Sequence, residues 1–137
     1  MNWPNFYPAN CPPADAKPAS GTFYRLVRHT PPKEEDFRTP WEEFHGTGRF
    51  SEPTIINCGL SVHADAEDSQ RLKKRIGKFR KRKIAKGELD STLGVIKHTP
   101  SQQEKSHHAW WVPVEAKPWT AFTIISNGNL GKKENHG

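Results

Sequence analysis

The segment "SHHAWWVP" (106–113) sets two histidines beside two tryptophans, and "GLSVH" (59–63) sets a serine two residues before a histidine. Imidazole can take or give a proton near neutral pH, so a histidine on a cleft wall could act as acid or base, with the serine lining the same cleft. Arg25, in "FYRLV", adds a guanidinium on the first strand candidate. Arg25, Ser61, His63 and His107 are therefore the candidate catalytic residues. On a strand, His107 and Trp111 point one way and His108 and Trp110 the other. One His–Trp pair would face the core or a cleft and its twin would face outward. Trp110 and Trp111 are thus candidates for stacking on a base. A packed strand, with one indole buried and one shielding an edge, explains the same composition without a ligand.

No metal site is expected. Neighbouring histidines on a regular strand cannot both chelate one ion, and Cys58 and His63 would face opposite ways unless Gly59 bulges. The chain also lacks a Cys-x-x-Cys pair. Cys11 falls in a proline-rich leader, away from Cys58, so a structural disulfide is not expected either. Reduced thiols, no signal-like start and no long apolar run make cytoplasm the default compartment, with no membrane partner.

The second chemical feature is charge. "RLKKRIGKFRKRKIAKG" (71–87) holds ten cations and no acid: Arg71, Lys73, Lys74, Arg75, Lys78, Arg80, Lys81, Arg82, Lys83 and Lys86. The whole chain is +6, so the remaining 11 cations and 15 acids leave everything else at −4. This is a faintly acidic protein with one basic band. A local positive field suits docking on phosphate, which makes these ten residues the candidate nucleic-acid contacts, RNA or DNA undecided. The alternative is a solvated helix face running into a solvated loop. Phe79 is the only ring in the run, so stacking within it is weak.

The elements that must position these residues follow from periodicity. "TFYRLVRH" (22–29) reads as a strand, with Phe23, Arg25 and Val27 on one face and Tyr24, Leu26 and Arg28 on the other. "TPPKEEDF" (30–37) turns the chain and opens a short helix; residues 38–53 look irregular. "TIINCGLSVH" (54–63) is a second strand region, its end placing Ser61 and His63 on one face. Asp65 can cap a helix with Glu67 and Asp68 in its first turn and Lys73, Lys74 and Arg75 near its end. "RKIAKGEL", "STLGVIKHT", "HHAWWVP" and "WTAFTIIS" supply further strand candidates. The result is an α+β fold: a single strand-rich domain with one clear helix (about 65–77) and long loops. A proline-rich arm (1–21) precedes the domain (22–126), and a polar tail (127–137) follows it. Both ends look dispensable to the core, although Trp3, Phe6 and Tyr7 could pin the arm to the body.

The blocks "FYRLVRHTPPKEEDF", "CGLSVHADAEDSQRL", "KIAKGEL" followed by "GVIKHT", and "SHHAWW" resemble a family of small uncharacterised bacterial proteins. The resemblance covers residues 22–112 and implies one compact domain. A remoter likeness is to ADP-ribosyltransferase-like domains. It rests on Arg25 in "YRL" and Ser61 in "GLS", with "FHGT" (44–47) echoing a His-Gly-Thr strand. That likeness implies NAD as cofactor and a catalytic glutamate, for which Glu88, Glu104 and Glu115 all remain open; without it no cofactor is expected.

Three functions are therefore in view. The first is a small protein binding nucleic acid or a nucleic-acid-containing complex. The second is an enzyme of the transferase or nuclease type, such as a toxin or defence component. The third is an accessory subunit whose basic loop and arm order against a protein partner.

Overall fold

A computed structural model describes residues 1–125, so the polar tail expected at 127–137 lies outside the described residues. The strands are β1 (Lys17–Pro18), β2 (Gly21–Val27), β3 (Leu60–His63), β4 (Lys83–Leu89), β5 (Val95–His98), β6 (His107–Trp111) and β7 (Phe122–Ile124). The helices are α1 (Pro40–Phe44) and α2 (Ala66–Arg75), joined by several short 3-10 turns. All seven strands form one antiparallel sheet in the order β1-β5-β6-β3-β2-β4-β7.

β2 is the frame of this sheet. Its alternation buries Phe23 and Val27 on one face and Tyr24 on the other. It pairs with β4 along its whole length, from Gly21 opposite Leu89 to Val27 opposite Lys83. With β3 it pairs only at Tyr24 opposite His63. β3 and β4 therefore run parallel to one another on either side of β2, and α2 connects them by crossing over it. β6 completes the site's scaffold by pairing with β3 from Leu60–Trp110 through His63–His107.

The first face carries the main core. Phe23, Val27, Leu60, Val62, Ala85, Trp110 and Phe122 pack there, covered by Phe37 and Trp119 from the connecting turns. Gly87 lies directly beneath Phe122; a Cβ there would sit 2.6 Å from the ring. The second face is covered in two parts. α2 lies over β2, β3 and β4. The N-terminal arm lies over β5 and β6, packing Trp3, Phe6 and Tyr7 around buried Cys11, Cys58 and Trp111.

Three expectations need correction. The arm is part of the core, not an expendable leader. Val114 N–H donates to the Asn2 carbonyl at 2.8 Å, Lys97 pairs with Asp15 at 2.9 Å, and Lys17–Pro18 extend the sheet beside β5. This brings Cys11 to Cys58, and both remain free thiols. Burial raises the Cys11 pKa to about 12, reinforced by Cys58, and raises that of Cys58 to about 11.

Residues 38–53 are not wholly irregular, so α2 is one of two helices. Thr39 and Glu42 form a reciprocal capping box, and Pro40 takes the first helical position of α1. Residues 54–57 form a turn instead of extending β3. Thr54 N–H donates to Asn57 Oδ1 at 2.7 Å and Asn57 N–H to Thr54 Oγ1 at 3.1 Å. α2 matches its charge pattern closely: Asp65 Oδ1 accepts from Glu67 N–H at 2.9 Å, and Lys73, Lys74 and Arg75 fill the last turn.

Candidate functional site

Between the two covers of the second face lies a polar strip on β3 and β6. His63 and His107 are direct cross-strand partners, and their rings stand 5.8 Å apart, edge to face. Ser61, two residues back on β3, shares their side of the sheet and is exposed. Its Oγ lies 3.0 Å from His107 Nε2.

The other His107 nitrogen faces Thr99. Nδ1 is 3.1 Å from the Thr99 carbonyl and 2.8 Å from Thr99 Oγ1. A carbonyl only accepts, so Nδ1 carries the ring proton and Nε2 presents a lone pair. Ser61 Oγ–H therefore donates to Nε2. Burial lowers the His107 pKa; Glu104 pulls the other way, and His63 and His108 add to the lowering. The ring is neutral at pH 7, which is the state a general base requires.

His63 is differently placed. It is only 3 % exposed, and both of its nitrogens are engaged. Nε2–H donates to Glu104 Oε1 at 2.6 Å, and Nδ1 lies 2.8 Å from Ser69 Oγ on α2. The second Glu104 oxygen accepts from Arg75 Nη2 at 3.1 Å. Burial alone would raise the Glu104 pKa; the His63 hydrogen bond and charge, with Arg75, outweigh it and leave a net lowering. Two residues further on, Ser106 donates both N–H and Oγ–H to Asp68 on α2, at 2.9 and 2.6 Å. Asp68 also pairs with Arg71. The 101–106 loop and α2 are thus locked together beside the histidines.

Arg25 does not join this strip. β2 and β3 pair at a single position, and Tyr24 opposite His63 fixes the parity, so the Arg25 side chain leaves from the opposite face. There Nε donates to the Asp36 carbonyl at 3.0 Å, and the guanidinium lies 5.3 Å from the Phe37 ring centre. Nη1 reaches the Ser61 backbone carbonyl at 2.7 Å, replacing the bond that a fully paired strand would supply. Burial lowers its pKa to about 10, so it stays charged at neutral pH. Its geometry is that of a brace under Ser61.

Trp110 and Trp111 are 0 % and 2 % exposed. Both faces of β6 are covered at its Trp110–Trp111 end, so neither indole is free to stack on a base. Their N–H groups donate to the Leu93 and Ile55 carbonyls at 2.8 and 3.1 Å.

The basic band divides in use. Arg71 pairs with Asp68 and Glu67, and Arg75 with Glu104. Among the described residues, the other eight of the ten cations make no ion pair with a carboxylate. Arg71, Lys74 and Arg75 line an open hollow of about 570 Å³ with Gln102 and Gln103. Lys78 and Arg82 each stand 5.1 Å from the Phe79 ring, which occupies the band's only aromatic side chain. The band does not end on the α2 side. Burial, and then the charge of Arg28, lower the Arg82 pKa, with Glu43 and Asp36 opposing.

The residues that sequence patterns did not single out are Thr99, Ser69 and Ser106; the sequence marks Asp68 only as a first-turn helix acid, and Glu104 as one of three open glutamates. Asp68 lies 38 residues from Ser106, and Glu104 lies 41 from His63; Ser69 and Thr99 are nearer to His63 and His107, but no motif marks either. Among the described residues, no group of three or more His, Cys, Asp or Glu side chains is arranged to hold a metal ion. No described helix is long and apolar enough to cross a membrane. A scan against protein-family models and searches of curated proteins and of solved structures found no match.

Proposed function

We propose that this protein binds nucleic acid through the cations of residues 71–86, with the hollow between α2 and the 101–106 loop as one seat for a phosphate. The observation that carries this reading is that eight of these ten cations have no carboxylate partner among the described residues. A chain that is otherwise net acidic leaves this charge unspent on its own fold. Arg71 and Arg75, held by Asp68 and Glu104, frame the hollow, and Lys74 is the cation in its lining without a carboxylate partner among the described residues. Gln102 and Gln103 add neutral amides able to bond phosphate or sugar oxygens. With both tryptophans buried, backbone charge supplies the affinity, and sequence preference is weak.

Fluorescence anisotropy with mixed-sequence RNA and DNA oligomers, single- and double-stranded, tests this at low and moderate salt. Binding should be submicromolar to micromolar at low salt and fall steeply as salt rises. Failure of every oligomer to bind at low salt overturns the proposal, as does binding confined to heparin.

A further inference from the structure

Ser61, His107 and Thr99 form a hydrogen-bonded line whose outer end is open. Ser61 is exposed, whereas His107 is half-buried and held by Thr99. Nothing in the fold requires this line. The β3–β6 pairing is complete in the backbone, and an exposed serine needs no imidazole for satisfaction. Arg25 meanwhile braces the Ser61 carbonyl from below. A proton acceptor in its neutral form, aimed at an exposed hydroxyl and oriented through its second nitrogen, is the arrangement that activates a nucleophile. Charge defines the matching substrate. Arg75 is separated from His63 by Glu104 alone, and beyond it the hollow is lined by Arg71 and Lys74. The centre therefore opens beside a positive surface, which favours an anionic ester.

We propose that Ser61 is a nucleophile, with His107 as its general base, acting on a phosphodiester of the nucleic acid that the basic band holds. This rests on the binding reading above. Ser61 Oγ attacks phosphorus while its proton passes to His107 Nε2. The bond from phosphorus to one sugar oxygen breaks, and the imidazolium returns the proton to that oxygen. The strand is then cut, with one fragment esterified to Ser61. Water, deprotonated by His107, attacks the same phosphorus; the Ser61–phosphorus bond breaks, and the serine recovers its proton. The products are one hydroxyl end and one phosphomonoester end, and no redox partner is needed. His63, enclosed by Ser69 and Glu104, is a positioning residue that sets the wall against which His107 stands.

Two measurements test this on the full chain. Diisopropyl fluorophosphate should phosphorylate Ser61 with loss of fluoride, read by peptide mass spectrometry. Ser61→Ala, an exposed change, should abolish that label, and His107→Gln should slow it by about 100-fold or more. The labelling rate should rise with pH through a single step below the ordinary histidine value of about 6.5 and then level off. His63 on β3 and Glu104 on its loop face His107, and the charge of His108 reaches it from the other face of its own strand. Absence of label on Ser61, or a His107→Gln variant that labels as fast as the native protein, overturns the nucleophile.

End-labelled oligonucleotides that bind the protein supply the second arm. Cutting by the native protein, absent from Ser61→Ala prepared in parallel, supports the substrate class. Bound but uncut oligonucleotide overturns the inference and leaves the binding reading standing. Failure to bind oligonucleotide defeats the binding reading, and with it the proposed substrate, even if Ser61 labels.

Discussion

Replacing Lys74, Arg80 and Lys81 together by glutamine removes three exposed cations that hold no carboxylate among the described residues. Each phosphate contact contributes about 0.9 to the slope of log affinity against log salt, so three lost contacts flatten it by about 2.7. Counterion release becomes negligible near 1 M salt. At about 0.1 M the variant should therefore bind about 500-fold more weakly, with the deficit shrinking as salt is added. Arg71→Gln is the matched control. Arg71 already pairs with Asp68 and Glu67, so a phosphate must compete with those carboxylates, and the slope should move by much less than 0.9. Anisotropy titrations at several salt concentrations between about 50 and 300 mM measure both. An unchanged slope in the triple variant, or a slope change in Arg71→Gln as large as each lysine's share, would refute the division between free and committed cations.

Other expectations concern the scaffold. Asp68→Ala leaves the Ser106 N–H and hydroxyl without their acceptor and should destabilise the fold by about 2–4 kcal/mol in urea denaturation. Burial alone would raise the Asp68 pKa, but the Ser106 bonds and Arg71 hold it below its ordinary value. Its stabilisation is therefore full above about pH 4 and is lost as pH falls through the lowered folded value, a dependence the variant should lack. Gly87→Ala drives a methyl to 2.6 Å from the buried Phe122 ring, and thermal melts should show a loss of about 1–3 kcal/mol. Cys11 and Cys58, with thiol pKa values raised to about 12 and about 11, should be inert to Ellman's reagent in the native protein and react in urea. Fast native labelling of either would count against the buried arm.

Much of the sheet was legible because alternation is local. "TFYRLV" and "KIAKGEL" each carry their inward and outward sides in their own order. α2 was legible for the same reason, since Asp65, the early acids and the late cations obey the helix's own electrostatics. α1 carried a readable signal in Thr39-Pro40 and Glu42, but the surrounding glycines and serines masked it. What local order cannot hold is parity between distant strands. Ser61, His63 and His107 share a side because His63 sits opposite His107. Arg25 is excluded because Tyr24, its neighbour, sits opposite His63. One residue of slip in either pairing would reverse the outcome which that pairing sets. Trp3, Phe6 and Tyr7 were legible as anchors of the arm, but its place in the core was not, because proline-rich composition says nothing of where those rings land.

β1 is only two residues long, and one of them is Pro18. An outermost strand with so few free amide donors is a poor template for another molecule's backbone. Clipping the chain before residue 19 would strip that guard from β5 and leave Trp111 facing water. The trimmed protein should then tend to associate through its newly opened border, however well the rest of the sheet is formed.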